Sequence, residues 1–170
     1  VEPQEKINIS QNHDRLANPA ARSFFKYVFG EHLKLNLFYP NGNKMVDCYL
    51  ENQKAYGPFK IYHANGKVFK EETEHFGKYN DTSNSYFPSG YKSFMDISLN
   101  NKSIEKKEWY DSGQIKMQAY YLDYKMHGAH TLWYPNGIIE SENNYDSGRS
   151  TGYKTYHKNG QLKTSTIYSS

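Results

Sequence analysis

The sequence holds a single cysteine, Cys48, in 170 residues. A lone thiol excludes an intrachain disulfide framework and a cysteine-based zinc site. Long apolar runs are missing as well, since none approaches the roughly 20 residues of a membrane-spanning helix. Aliphatic side chains are sparse: hydrophobic residues make up 36% and mean hydropathy is -0.95, thin for a conventional globular core. There is no block of one charge either. The net charge is only +3, and Lys and Arg alternate with Asp and Glu, so no nucleic-acid partner is expected. The first residue is Val1 rather than Met, which points to a removed segment: a signal, a lipoprotein leader or a cloning tag.

Aromatic residues are plentiful instead. They form 16% of the chain, with 17 Tyr, 9 Phe and 2 Trp. That abundance argues against disorder and suits a thin, extended structure whose side chains are half-buried. A glycine that follows Asn or Ser recurs at Gly42, Gly66, Gly90, Gly113, Gly137 and Gly160, at intervals (by subtraction) of 24, 24, 23, 24 and 23. Four residues before each stands an aromatic: Phe38, Tyr62, Tyr86, Trp109, Trp133 and Tyr156. A period in this range marks a repeat architecture.

The local chemistry around these glycines predicts hairpins. In Pro135-Asn136-Gly137 the proline presets the first corner of a type I turn, and the glycine supplies a left-handed residue. A three-residue loop pairs Tyr134 with Ile138, Trp133 with Ile139, Tyr62 with Val68, Trp109 with Ile115 and Tyr156 with Leu162. A two-residue loop would set Trp133 against Glu140 and Trp109 against Lys116, so the longer loop is expected. Plain alternation from there puts Met117, Ala119 and Tyr121 beside Trp109, and Ser141, Asn143 and Tyr145 beside Trp133. It likewise puts Thr164, Thr166 and Tyr168 beside Tyr156. Looser turns are expected over 145–148 and 123–128. One hairpin is not stable alone, so neighbours pair side by side. The expected fold is all-β: an elongated antiparallel meander of about six repeated β-hairpins. The third unit is the weakest, its row reading Lys92, Phe94, Asp96, Ser98. An irregular connection is expected near 77–85, from drift or from an interface.

The "Y-x-x-N-G" and "W-Y-x-N-G" phrases resemble MORN repeats, and most of all the variant found in a bacterial family of antitoxin components. The stretch YPNGIIESENNYDSGRSTGYKTYHKNGQLK, 134–163, carries that pattern best, and the resemblance extends from about residue 33 to the C-terminus. The variant's spacer glycine appears as Gly57, Gly128 and Gly152, while Asp81 and Glu105 stand in its place around the third unit. The resemblance implies a non-enzymatic module that holds a protein partner, either a toxin-like protein that it neutralises or a component of the bacterial envelope. It favours the envelope over the cytoplasm. It also names membrane or phospholipid binding as the alternative, which the low net charge and the lack of a basic amphipathic helix disfavour.

Two domains are expected, an arm with a capping helix over 1–32 and the repeat domain over 33–170. In NPAARSFFKYVFG, Asn18 is an N-cap, Pro19 the first helical residue and Gly30 a stop, with Ala21, Phe24, Phe25 and Val28 on one face. A strand with Phe25, Tyr27 and Phe29 alternating is the other reading. Leu33, Leu35 and Leu37 point away from Phe38. Met45, Tyr49, Phe59, Ile61 and Phe69 are expected on their side, and Val46, Cys48 and Leu50 near Phe38. A helix across the first two hairpins would cover that apolar patch and shield the edge strand.

No catalytic constellation, metal ligand set or cofactor motif emerges. His127 and His130 fall on opposite strand faces, and no carboxylate or cysteine completes a set. No nucleophile elbow or phosphate-cradling loop is present. The aromatic row remains, either as the internal spine of the repeat or as a groove left open. The partner-binding residues expected from the second reading are Trp109, Tyr121, Trp133, Tyr145 and Tyr156, because short polar neighbours should leave them more accessible than Phe38.

Overall fold

A computed structural model describes residues 32–51, 54–75 and 81–168. The expected capping helix over 18–30 lies outside the described residues, and so does the side chain of Leu33. Among the described residues there is no helix, only antiparallel strands, and no helix is long and apolar enough to cross a membrane. The chain divides into two compact units, 1–78 and 79–170.

The first unit is a meander of β1 (His32–Phe38), β2 (Lys44–Glu51), β3 (Lys54–Tyr62) and β4 (Val68–His75). The second is a longer meander of β5 (Thr82–Tyr86), β6 (Lys92–Leu99), β7 (Lys102–Trp109), β8 (Ile115–Leu122), β9 (Lys125–Trp133), β10 (Ile139–Asp146), β11 (Arg149–Tyr156) and β12 (Leu162–Ile167). Every neighbour in it follows directly in sequence. Of the stretch 77–85 expected to be irregular, 82–85 belong to β5, and 77–80 lie outside the described residues.

Two kinds of turn alternate. At the Asn-Gly and Ser-Gly phrases the three-residue loop forms as the sequence predicts. Tyr134 N–H donates to the Ile138 carbonyl at 2.8 Å, Gly137 N–H donates to Tyr134 at 2.9 Å, and Gly137 sits at φ +83°. Trp133 pairs with Ile139, Trp109 with Ile115, Tyr62 with Val68 and Tyr156 with Leu162. At the opposite strand ends the turns are tight, not loose. Asp123-Tyr124 (φ 48° and 65°) and Ser147-Gly148 (φ 50° and 89°) are two-residue turns with both residues left-handed, as is Asn100-Asn101 (φ 52° and 61°). That conformation matches strand twist, so Leu122 meets Lys125 and Asp146 meets Arg149 directly.

The faces differ from plain alternation. Just after each glycine turn the register slips by one residue, leaving Met45, Phe69, Ser93, Lys116, Glu140 and Lys163 without a counterpart across the strand. Such a bulge exchanges the faces of everything beyond it. Met117 consequently stands across from Glu108, and Ala119 across from Lys106. Because Glu108 and Trp109 are adjacent in one strand, Met117, Ala119 and Tyr121 occupy the face away from Trp109. The expectation that they lie beside it is corrected, and so are the matching ones for Ser141, Asn143, Tyr145 and for Thr164, Thr166, Tyr168.

The same slip reassigns the first unit. Val46 and Cys48 oppose Leu37 and Leu35, not Phe38. Leu35, Leu37 and Cys48 form the buried cluster, with Met45, Val46, Leu50 and Phe59 packed on it. Ile61 pairs with Val46 and shares that side. Tyr49 does not, since it pairs with Lys34, whose Nζ lies 5.3 Å from its ring centroid. Phe69 is a bulge residue, exposed and edge-on to His63 at 5.1 Å. Burial raises the Cys48 thiol to a pKa of about 11, with Asp47 adding to the effect, so it stays protonated.

Candidate binding surfaces of the second unit

The five aromatics singled out in the sequence divide between two faces. Trp109, Trp133 and Tyr156 share one side of the second unit by register and alternation, and Tyr121 and Tyr145 share the other. The structure thus brings three together and separates two from them. All five are half-buried, as is Phe38.

Charged side chains flank the rings on the tryptophan side. Lys92 Nζ lies 5.6 Å from the Trp109 ring centroid. Glu105 accepts from Lys107 at 2.9 Å and from Gln118 at 2.6 Å, and Gln118 reaches Tyr120 at 2.6 Å. Burial alone would raise the Glu105 carboxyl, but these donors prevail and lower its pKa. The Tyr156 hydroxyl donates to Glu142 at 2.8 Å, which raises the phenol pKa, with a smaller contribution from burial. An open groove of about 370 Å³ continues across β9–β12 on this side, lined by Ala129, Thr131, Glu142, Asn144, Gly152 and Lys154.

The tyrosine side has a hydrogen-bonded network that the sequence reading missed. Asn143 Nδ2 donates to Tyr145 Oη at 2.8 Å, and Ser150 Oγ donates to Asn143 Oδ1 at 2.7 Å. His130 packs edge-on to Tyr145 with centroids 6.4 Å apart. Its imidazole pKa is lowered by burial. Tyr153 and Tyr168 lie 6.3 Å apart. At the β6–β8 end, Lys106 Nζ stands 5.3 Å from the Tyr121 ring centroid and 3.6 Å from Asp96. His127 faces the other way, 3.5 Å from Asp146.

The glycine-turn edge is stitched from repeat to repeat. Tyr110 Oη donates to the Trp133 carbonyl at 2.8 Å, and Tyr134 Oη to the Tyr156 carbonyl at 3.0 Å. In the first unit Tyr39 Oη donates to the Tyr62 carbonyl at 2.7 Å. Turn asparagines do the same: Asn136 Nδ2 reaches the Lys158 carbonyl at 2.9 Å, and Asn41 reaches Ala64 at 2.8 Å. The signal was present in the sequence as a second aromatic directly after the first, in Phe38-Tyr39, Trp109-Tyr110 and Trp133-Tyr134. Among the described residues no three His, Cys, Asp or Glu side chains gather as a metal site.

Segments 55–73, 103–123 and 126–147 match the MORN repeat variant family. This supports the MORN resemblance read from the aromatic-Asn-Gly phrases, and the three segments fall on β3–β4, β7–β8 and β9–β10. The chain has no match among curated proteins.

Proposed function

We propose that this chain is a protein-binding repeat module whose second unit holds its partner on the tryptophan face. MORN repeats are generally non-catalytic modules that bind proteins or membranes, so the family match supports the class without choosing between them. The choice of a protein rests on one observation. Trp109, Trp133 and Tyr156 recur on the face that also carries Glu105, Lys107, Glu142 and Lys154 beside an open groove. Tryptophan and tyrosine set among charged side chains are what a protein interface uses, with aromatic anchors for area and a polar rim for register. The resemblance to antitoxin components makes a toxin-like protein or an envelope component the first partner to try.

Trp133→Ala tests the reading. The partner retained by the wild-type chain is expected to be lost while the melting temperature stays within a few degrees. A collapse of the fold, with binding lost only as a consequence, would make the row an internal spine and sink the proposal. Sedimentation with anionic vesicles separates the other class, because strong binding that salt abolishes would assign the surface to a membrane.

A further inference from the structure

The tyrosine face of β9–β12 differs from its opposite in charge. Register and alternation place Lys125, Glu142, Asp146, Arg149 and Lys154 on the tryptophan side, while Glu140 and Lys163 occupy bulges at the turn edge. The residues that register places on the other face of these four strands, among them His130, Asn143, Tyr145, Ser150, Thr155 and Thr166, include no carboxylate, ammonium or guanidinium group. Tyr121, Tyr145 and Tyr168 stand at one repeat position, 24 and 23 residues apart by subtraction. Two strand separations lie between successive members, about 9.5 Å. The middle ring is fixed by Asn143, Ser150 and His130, so it is held in place before any ligand arrives.

We infer that this face is a binding site for a linear neutral glycan laid across the strands. The spacing of the tyrosines is close to the length of a disaccharide in an extended chain, so alternate sugars would each meet a ring. Sugar C–H faces cover tyrosine well. The hydroxyls of Thr155, Thr164 and Thr166 both donate and accept, which matches a ligand whose every hydroxyl does the same. A charged partner finds no counter-ion among these register-placed residues and would lose hydration on docking. The charged cluster of Lys106 and Asp96 beside Tyr121 marks one end of the neutral surface.

Titration of the full chain with soluble hexamers of β-1,4-linked glucose and of β-1,4-linked N-acetylglucosamine tests the site, with a polyuronate as the charged control. Binding to at least one neutral hexamer is expected, unchanged by raised salt and absent for the polyuronate. Tyr145→Ala should weaken it at least tenfold. Tyr168→Ala, beyond the last strand and 49% exposed, should weaken it without touching the fold. Trp133→Ala, on the opposite face, should leave it intact, which keeps this test separate from that of the protein-binding surface. No binding of either hexamer at millimolar concentration would overturn the inference. So would affinity undiminished in both tyrosine variants, or a protein partner whose capture those variants abolish.

Discussion

Tyr110 and Tyr134 do more than fill space beside the tryptophans. Each hydroxyl crosses to the next repeat and donates to a main-chain carbonyl there, at 2.8 and 3.0 Å. Removing the oxygen leaves the ring and the turn in place, so the variant isolates the cross-repeat bond. Tyr110→Phe and Tyr134→Phe are each expected to cost about 0.5–1.5 kcal/mol. Urea unfolding with an unchanged slope would report it, and a loss near zero would show that water replaces the bond freely. His130 gives a second prediction of this kind. Burial lowers its folded pKa below the ordinary 6.5. The unfolded chain therefore takes up a proton that the folded chain resists. The resulting stability is full above pH 6.5 and declines as pH falls through the lowered folded value. Melting temperatures between pH 7.5 and 5 should fall more steeply for the wild type than for His130→Gln, and parallel curves would contradict the assignment.

Turns and bulges decide what each strand presents. Gly113 and Gly160 occupy the same repeat slot at φ +84° and +85°, yet their surroundings differ. A Cβ on Gly113 would meet the Tyr91 ring at 3.0 Å, whereas on Gly160 its nearest neighbour is Ile138 at 3.9 Å. Gly160→Ala is expected to cost the left-handed strain alone, about 1–2 kcal/mol. Gly113→Ala should cost more, because the ring must also move. Thermal melts of the two variants check the order, and equal losses would mean that Tyr91 yields at no cost. The same elements show what was legible beforehand. Period, loop length and first pairs could be read from Trp133-Tyr134-Pro135-Asn136-Gly137, since proline and glycine restrict the backbone locally. The bulge at Lys116 or Glu140 could not. It adds one residue without a residue type that demands it, and its effect appears only across the strand, where Met117 meets Glu108. Two of the five expected site residues changed faces for that reason alone. Tyr124, left-handed at φ 65° in a two-residue turn, was equally hidden, because tyrosine gives no warning of that conformation.

Across the whole chain, two ways of holding a sheet appear. The first unit rests on an apolar cluster of Leu35, Leu37 and Cys48. The second has Ala119 as its one fully buried hydrophobic residue among those described and relies on bonds between neighbours. Its strands pair only with the strands before and after them, so each repeat senses an adjacent one and little beyond. Stability in such an array is a sum of local terms, and damage should remain where it is made. Gly160→Ala places strain in the turn between β11 and β12. Amide hydrogen exchange in that variant is expected to accelerate through β11 and β12, less in β10, and not at all in β6–β8. A uniform acceleration from β6 to β12 would mean that the second unit opens in a single step. In that case the strands near β12 could not loosen while β6–β8 stayed closed.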